Sequence, residues 1–578
     1  MSDTDPAASE EGRTAELEVQ QVGDELFALW AFVDMTVASS HGGITERIGR
    51  ITQRDSEEAA AKAKGWATRL DAVDPRKLRR PTELTRRYLR FEVGKLADAA
   101  ALHRFDLQIT PYRIGITLAE LHHHLQSFGF LDSTRLEQYL SLLQQYSVFL
   151  ADTQQNLRDQ AARGIVASAA ALPGCFAVVR GLANSFAQYV SVRPERLARI
   201  APAQKTAFFA RIDKEIEQIG AAFSELLDYM EGDYARCAED GVGISQYPGG
   251  HEAYGRLVRH HVTLDVTPEA LHNSGLDLVA EIEEDMARVR REIGFNGSAR
   301  EFLEQVKGDQ RFFLSTPEAI EDLYMGFLRK CETVMPRAFG SLVFPPCSVK
   351  RLPPESEGGM TFGYYQPPTA SEPVGYYRYN GSNPDQRPTI GAAALIYHEL
   401  LPGHHIHLTR EMNDIGRPPV RRFPTITAFS EGWAEYAADL GFELGLYEDP
   451  YDRYGRHLLQ VFLASRLVVD SGLNSLGWTF QKARNYLTEH TAQAAGEIES
   501  EILRYASAMP GQALAYAPGR KHFWRVRRAA EKRLAHKFDL PEFHAAVLEG
   551  GSLPLQDFTF SIEQWADLRA CETERVGR

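Results

Sequence analysis

The sequence predicts a mainly α-helical protein with a small β-sheet, and three observations lead to this fold class. Apolar residues recur at helical spacing over most of the 578 residues. Capping threonines precede prolines at Thr267-Pro268 and Thr316-Pro317, a pattern typical of helix starts. In contrast, segment 341–387 is rich in proline, glycine and tyrosine. We therefore expect a large helical fold of two lobes with a short hairpin or sheet late in the chain.

Amphipathic periodicity is clearest in a set of long segments, each predicted to be one helix. They are Glu16–Val37, Ser56–Val73, Pro81–Leu102, Ser133–Arg163, Pro202–Met230, Pro268–Ile293, Ala299–Lys307, Pro317–Val334, Tyr451–Leu473 and Gln493–Ala508. Within the non-helical segment, Thr361–Tyr365 and Gly375–Asn380 are rich in aromatic residues and are predicted to be strands. No repeat of fixed period is present.

Composition is that of a soluble globular enzyme. The net charge is −14 and 25% of the residues are charged, so the chain as a whole does not attract nucleic acid or anionic membranes. No stretch is apolar over the ~18 residues of a membrane span. Five scattered cysteines without a C-x-x-C motif predict reduced thiols, with neither disulfides nor a thiolate metal site.

The domain organisation is predicted from composition and motif position. Residues 1–12 are acidic and small, and we expect them to be disordered. Residues 13–245 are expected to form an N-terminal helical region, and residues 246–578 a catalytic region. The N-terminus lacks the basic and apolar parts of a signal peptide, which predicts a cytoplasmic protein. The oligomeric state is not predictable from these features.

The most informative segment runs from His398 to His407 and reads His-Glu-Leu-Leu-Pro-Gly-His-His-Ile-His. Zinc peptidases carry two histidines four residues apart on one helix, with a glutamate base after the first. Here Pro402 stands four residues after His398, where the second histidine is expected. On a straight helix His398 and His404 would face different ways. Pro402 bends a helix, and Gly403 allows a backbone conformation closed to other residues. We predict a two-residue bulge that returns His404 to the ligand position.

The residue types leave two questions open at this segment. His404, His405 and His407 are all imidazoles, so the pattern does not decide which of them accompanies His398 as a ligand; we assign His404. The alternative is that these histidines only cap or fill the end of a helix. Glu399 is expected to be the general base, directed at the open coordination position.

A third ligand is predicted on the helix that begins near Thr427. Glu431 and Glu435 are four residues apart and share a helix face. This spacing suits one carboxylate on the metal and the other on a ligand histidine, where it fixes the tautomer. We assign Glu431 as the ligand and Glu435 as the outer partner, while the reverse order and a solvated helix face remain alternatives.

Several motifs together resemble those of the bacterial DUF885 family of zinc-peptidase-like proteins. The family motif His-Glu-x-x-Pro-Gly-His-His-x-Gln is matched by 398–407, and Ser-Glu-Gly-Trp-Ala-Glu-Tyr by 430–436. Further matches are Met509–Tyr516 with Gly519-Arg520, Phe543-His544 with Gly550–Leu555, and, more weakly, Gly250–Tyr254 with Thr263–Leu271. The specific similarity begins near residue 245. It implies a mostly helical, gluzincin-like fold with a deep channel that admits short peptides.

This chain departs from the family pattern at two positions. His407 replaces the usual glutamine, and Leu400 stands where a small residue is frequent. Neither change removes a residue that hydrolysis requires, but both bear on the choice of substrate. His405 and His407 are assigned as outer partners of the metal site.

The predicted function is zinc-dependent hydrolysis of peptide or amide bonds, with one Zn²⁺ per chain. The metal would lower the pKa of a water and polarise the carbonyl, and Glu399 would move the proton to the leaving amine. Tyr516 and Arg520 are candidate oxyanion donors, with Tyr505 behind them. Tyr377, Tyr379 and Gln512 are candidate substrate contacts, because a strand beside the metal helix can hold an extended peptide.

Two other function classes are kept. The same centre can cleave a non-peptide amide or a specialised metabolite, since fold does not decide substrate. A non-catalytic binding scaffold is the second alternative, although an intact Glu399 argues against it. The His122-His123-His124 run, and likewise His251 and the pair His260-His261, are expected to lie outside the metal cluster, the run on the surface of a helix.

Overall fold

A computed structural model describes residues 9–33, 47–357, 363–369, 372–423 and 425–576. Over these residues the protein is mainly α-helical, as predicted, with one three-stranded sheet. The helices of eight or more residues are Glu10–Val33 (α1), Gln53–Ala72 (α2), Arg80–Ala97 (α3), Arg113–Ser127 (α4), Ser133–Ala161 (α5), Leu172–Val190 (α6), Pro202–Tyr229 (α7), Gly250–Val262 (α8), Pro268–Glu292 (α9), Ala299–Gly308 (α10), Pro317–Phe339 (α11), Ala392–Glu399 (α12), His404–Asn413 (α13), Thr427–Leu444 (α14), Pro450–Ser475 (α15), Phe480–His490 (α16), Ala495–Leu503 (α17), Tyr516–Leu534 (α18), Leu540–Gly550 (α19) and Leu555–Val576 (α20).

Shorter helical turns connect these elements. Four-residue α-helices are Ala99–Leu102 and Pro354–Glu357, and π-helical turns are Met230–Tyr234 and Arg504–Ala508. The 3₁₀ turns are Pro75–Lys77, His103–Phe105, Pro194–Leu197, Ile244–Gln246, Gln310–Phe312, Pro384–Gln386, Pro419–Arg421, Gln512–Leu514 and Ala535–Lys537. No helix in the described part of the chain is both long and apolar enough to cross a membrane.

Most predicted helices are present with their ends within a few residues. The side chains of Thr267 and Thr316 accept hydrogen bonds from the third residue of their helices at 3.2 Å, which confirms both caps. The helix predicted to end at Val334 continues to Phe339, with Pro336 inside its last turn. It ends at Gly340, whose φ of 58° is one that glycine adopts readily. Residues 10–12, which were predicted to be disordered, instead form the start of α1, because this helix begins at Glu10. Residues 1–8 and the predicted helix end at Val37 lie outside the described residues.

The described chain divides into two compact units. One comprises residues 1–79, 89–254 and 503–510, and the other residues 80–88, 255–502 and 511–578. The predicted boundary at 245 is near the change of unit between residues 254 and 255, but residues 80–88 belong to the second unit and residues 503–510 to the first. The core of the first unit is built by apolar and aromatic side chains of α4 to α7, such as Tyr139 and Phe208 at a ring distance of 6.2 Å.

Around α14, the second unit is organised by an aromatic cluster. The ring of Trp433 lies 6.0 Å from that of Phe523, and Phe429 lies 5.1 Å from the same ring. The hydroxyl of Tyr436 is 2.8 Å from Nε2 of His544 on α19. Rings this large bury much apolar area and pack in defined orientations, so they hold α14 and α18 in one register.

The sheet precedes the predicted metal helix, as the sequence indicated. It consists of Cys347–Arg351 (β1), Gly363–Gln366 (β2) and Gly375–Tyr379 (β3), in the order β1-β3-β2. The predicted hairpin is the antiparallel β2–β3 pair, with Tyr365 opposite Tyr377. The parallel strand β1 was missed, because it is short, follows two prolines and lacks alternating hydrophobicity. Predicted strand residues Thr361 and Phe362 lie outside the described residues.

Helices α14 and α18 approach most closely at two glycines. A Cβ added at Gly519 would lie 2.4 Å from the carbonyl oxygen of Ala428 and 2.8 Å from Cα of Gly432. An added Cβ at Gly432 would in turn lie 2.8 Å from Gly519. Both glycines belong to the sequence motifs, so their function there is to let two backbones meet.

Replacement of Gly519 by alanine is expected to lower the free energy of unfolding by about 1–3 kcal/mol, because the extra methyl group overpacks this crossing. Gly326→Ala is the matched control. Gly326 is a helix-interior glycine of the same unit, and an added Cβ there meets nothing within 4 Å. The control should be neutral or slightly stabilising. Urea denaturation measures both, and equal effects in the two variants would contradict the close-approach explanation.

Candidate metal centre

The metal motif is built from two helices, not from one helix with a bulge as predicted. α12 ends at Glu399 and α13 begins at His404. The connection is held by hydrogen bonds from Leu400 N to Ile396 O at 2.9 Å and from His405 N to Leu400 O at 3.2 Å. The Leu401–Pro402 peptide bond is cis. The predicted bulge within one continuous helix was therefore wrong, because one helix ends at Glu399 and a second begins at His404.

Gly403 is required by close packing at this turn. A Cβ there would lie 1.8 Å from the carbonyl oxygen of His398. The end of α12 thus packs directly against the start of α13. Trp433 on α14 fixes this connection by donating its indole N–H to the carbonyl of Gly403 at 3.1 Å.

Three buried or half-buried side chains meet at this point: His398, His404 and Glu431. Their ligand atoms all lie within 4.8 Å of one another. Oε2 of Glu431 is 3.6 Å from Nε2 of His398 and 3.4 Å from Nε2 of His404. Atoms bound at 2.0–2.1 Å to a tetrahedral zinc stand about 3.3 Å apart. These two separations therefore fit a shared zinc ion.

An unpaired polar atom supports the same fit. Oε2 of Glu431 is buried, yet it makes no hydrogen bond to any group in the described ranges; Nδ1 of His404 is in the same condition. Burial raises the pKa of Glu431, but the imidazoles of His404 and His398 outweigh it and hold the pKa below its usual value. A buried, ionised oxygen without a hydrogen-bond donor is satisfied by a cation.

Glu435 orients the first histidine. Its Oε1 accepts a hydrogen bond from Nδ1 of His398 at 2.8 Å, which leaves Nε2 of that ring directed at Glu431. Burial lowers the pKa of His398, but Glu431 and Glu435 outweigh it and raise the pKa to about 10. The two carboxylates thus create a strongly negative potential at the ring, which favours a bound cation. Of the two predicted arrangements, the geometry corresponds to Glu431 as ligand and Glu435 as outer partner.

Glu399 lies at the end of α12, next to this cluster. Burial raises the pKa of its carboxyl group, with His398 and His404 acting in the opposite direction. The backbone N–H of Tyr365, on edge strand β2, also interacts with this carboxylate. A carboxylate with an elevated pKa, fixed between a strand edge and two imidazoles, is suited to proton transfer near neutral pH.

His405 is turned away from the cluster and attaches the sheet. Its Nε2 donates to the carbonyl of Pro345 at 2.8 Å, and its Nδ1 accepts from the hydroxyl of Tyr365 at 2.8 Å. A Cβ at Gly375 would lie 2.6 Å from that Nδ1, so glycine makes room for the contact. His405 therefore connects β2 to α13, and both ring nitrogens are occupied.

His407 belongs to a separate buried network. Its Nε2 lies 3.0 Å from both Ser552 Oγ and Glu411 Oε2. Glu411 also accepts hydrogen bonds from the backbone N–H and the hydroxyl of Ser552, at 3.1 and 2.6 Å. The histidine that replaces the family glutamine thus anchors the segment after α19, and these contacts do not reach the metal cluster.

The predicted oxyanion donors have other contacts. Nε of Arg520 donates to Asp439, while the ring of Tyr516 lies under the guanidinium of Arg466, at 5.0 Å. Gln512 approaches the hydroxyl of Tyr516 at 3.5 Å. Tyr505 lies in the first unit. These contacts give no support to Arg520 as an oxyanion donor, because its guanidinium is held by a carboxylate.

The two predicted substrate tyrosines differ. Tyr377 is buried at the centre of the sheet and interacts electrostatically with Glu399. The hydroxyl of Tyr379 instead donates to the carbonyl of Pro317 at 3.0 Å and lies 3.2 Å from Glu321. Tyr379 is therefore a structural contact between β3 and α11, and its assignment to substrate is not supported.

The His122 run was predicted to lie on the surface, and for His122 this is wrong. His122 is 4% exposed, its Nε2 lies 2.9 Å from the hydroxyl of Tyr146, and its ring stacks on Tyr189 at 4.5 Å. Residue 123 is exposed. In the described residues, only His398, His404 and Glu431 form a group able to hold a metal. The sequence analysis did not single out Arg456 and Asp439, and Arg456 donates to both Glu435 and Asp439 at 2.8 Å.

Comparisons with known proteins identify the family of this chain. The model of a bacterial protein family of unknown function, DUF885, matches residues 36–559. No functionally curated protein matches the chain. A crystal structure described as "the putative lipoprotein from Colwellia psychrerythraea" is similar, with a TM-score of 0.81 and 23% identity over 96% of this chain and 99% of that one.

A second crystal structure, "a putative lipoprotein of unknown function from Shewanella oneidensis", has a TM-score of 0.69 and 15% identity over 94% of this chain and 98% of that one. At these identities both likenesses concern the fold alone. The family match begins about 200 residues earlier than residue 245, where the motif resemblance was expected to start, so it also covers most of the first unit. The chain belongs to the DUF885 family of bacterial proteins.

Proposed function

We propose that the protein is a zinc-dependent hydrolase of peptide or amide bonds in short substrates. One observation carries this proposal. The buried, unpaired Oε2 of Glu431 lies 3.4 Å from Nε2 of His404 and 3.6 Å from Nε2 of His398, and the carboxylate of Glu399 is beside them. Two histidines and one glutamate are the ligand set of many catalytic zinc sites, which keep one position open for water.

His398, His404 and Glu431 would hold the metal, and a bound zinc supplies a Lewis acid that polarises a carbonyl and lowers the pKa of water. The residues of the chain perform the remaining steps. Glu399 accepts the proton of the attacking water, and its elevated pKa then allows it to donate that proton to the leaving amine. Glu435 keeps His398 in one tautomer throughout.

Strand β2 supports a peptide-like substrate. It is an edge strand of the sheet, and Tyr365 brings it against Glu399 and His405. Edge strands bind extended peptides by backbone hydrogen bonds. The sequence-based reason for a non-peptide substrate was His407, and this residue is engaged by Glu411 and Ser552, so that alternative loses its main support.

The test combines metal analysis with a substrate panel. The purified chain is expected to contain about one zinc per chain and to hydrolyse members of a panel of dipeptides and N-acyl amino acids. A chelator should abolish the hydrolysis, and added zinc should restore it. Hydrolysis that survives complete metal removal, or a chain that takes up no zinc from zinc-supplemented buffer, would refute the proposal.

A further inference from the structure

A buried ladder of alternating charges runs from the metal cluster to α18. Glu435, which orients His398, also accepts a hydrogen bond at Oε2 from Nη2 of Arg456, at 2.8 Å. Arg456 is completely buried, and its Nε donates to Oδ1 of Asp439 at 3.0 Å. The other oxygen of Asp439 accepts from Arg520 and, at 3.0 Å, from the indole N–H of Trp524.

The geometry of Arg456 is specific to a guanidinium. Its Nη2 reaches the backbone carbonyl of Glu435 at 3.0 Å as well as the side chains of Glu435 and Asp439, both at 2.8 Å. One planar, permanently charged group thus connects two carboxylates that are four residues apart on α14. A lysine keeps the charge but cannot make this set of directed bonds.

The ladder also explains why a buried cation is tolerated here. A completely buried arginine is costly unless it is paired and hydrogen-bonded, and here two ionised carboxylates surround it. Both oxygens of Glu435 are thereby engaged as acceptors, Oε1 by Nδ1 of His398 and Oε2 by Nη2 of Arg456.

We infer that Arg456, supported by Asp439, Arg520 and Trp524, is a positioning group that holds Glu435 on His398 and thereby sets the affinity of the centre for zinc. This inference rests on the proposed function. It also gives Arg520, a candidate oxyanion donor in the sequence analysis, the role of an outer support of the metal site. Loss of an outer partner of a ligand histidine typically weakens metal binding 10- to 100-fold.

The test is zinc affinity, measured by competition with a chelator in metal-depleted protein. Arg456→Lys is expected to weaken zinc binding about tenfold, and Glu435→Gln by 10- to 100-fold. The double variant should bind zinc within about twofold of Glu435→Gln alone, because Arg456 acts through Glu435. A purely structural arginine would instead add its effect in full, which would overturn the inference.

Two further variants keep the test decisive. Arg86→Lys is the matched control, since Arg86 is also buried and paired, with Glu83 at 2.7 Å, and is expected to leave zinc affinity unchanged. Trp524→Phe keeps an aromatic ring at this position and removes one hydrogen bond to Asp439, so it covers the case in which Arg456→Lys does not fold. We expect it to weaken binding about two- to fivefold. Unchanged affinity in both Arg456→Lys and Trp524→Phe refutes the ladder, whereas a wild-type chain that binds no zinc refutes the proposed function itself.

Discussion

Replacement of Glu399 by glutamine is expected to lower kcat by about 10²- to 10⁴-fold while leaving the zinc content unchanged. Loss of a general base has this magnitude. Glutamine has nearly the same shape and keeps an oxygen that can accept from the backbone N–H of Tyr365, so strand β2 should stay in place. Steady-state kinetics on the best substrate of the panel, together with metal analysis, measures both quantities.

Glu431→Gln is the matched control for this prediction. It also exchanges one buried carboxylate for an amide, but it removes a member of the ligand cluster. Glu431→Gln should therefore lose zinc and activity together, while Glu399→Gln should lose activity alone. Full activity of Glu399→Gln would remove the base from the mechanism, and loss of zinc in that variant would make Glu399 part of the ligand set.

The grouping of Glu431 and Glu435 beside His398 could be predicted from sequence because residue type and spacing are local information. Glu431 and Glu435 are one helical turn apart, and α14 is a regular helix, so one residue faces the histidines and the other supports a ring from behind. The fold class was predictable for the same reason. Helical periodicity and a capping threonine followed by proline are local patterns, and most predicted helix ends lie within a few residues of the observed ones.

The break between α12 and α13 could not be predicted in the same way. A helical bulge and a complete helix stop both suit Pro402 and Gly403, and the difference is decided by tertiary contacts. Trp433 bonds the carbonyl of Gly403, and the carbonyl of His398 occupies the space where a side chain at 403 would be. Trp433 is 30 residues away in sequence, so its contact cannot be inferred from the motif itself.

The contact of Arg520 with Asp439 could not be predicted for the same reason. An arginine near a predicted active site can face substrate or a buried carboxylate, and the sequence does not distinguish these cases. One signal was present. Asp439 continues the four-residue spacing of Glu431 and Glu435 along a largely buried helix, and a buried carboxylate in such a place requires a cationic partner. Arg456, within the largely buried helix α15, is the corresponding cation.

Alanine replacements of the three histidines after the break should separate their functions. His404→Ala is expected to weaken zinc binding by at least about 100-fold, beyond the 10- to 100-fold typical of losing an outer partner. The reason is that Nε2 of His404 is one of the three atoms that face the proposed ion. Chelator competition measures the change, and the free energy of unfolding of the metal-free chain serves as the second readout.

His405→Ala and His407→Ala should give the opposite profile. Each is expected to keep zinc affinity within about tenfold and to lower the free energy of unfolding by about 1–3 kcal/mol, since each leaves buried partners without a hydrogen bond. For His405 these partners are Tyr365 and Pro345, and for His407 they are Ser552 and Glu411. If His405→Ala or His407→Ala lost zinc while His404→Ala retained it, the ligand would have to be reassigned. For His405, both ring nitrogens are already hydrogen-bonded in the fold, so its use as a ligand would require the contact to Tyr365 or to Pro345 to break.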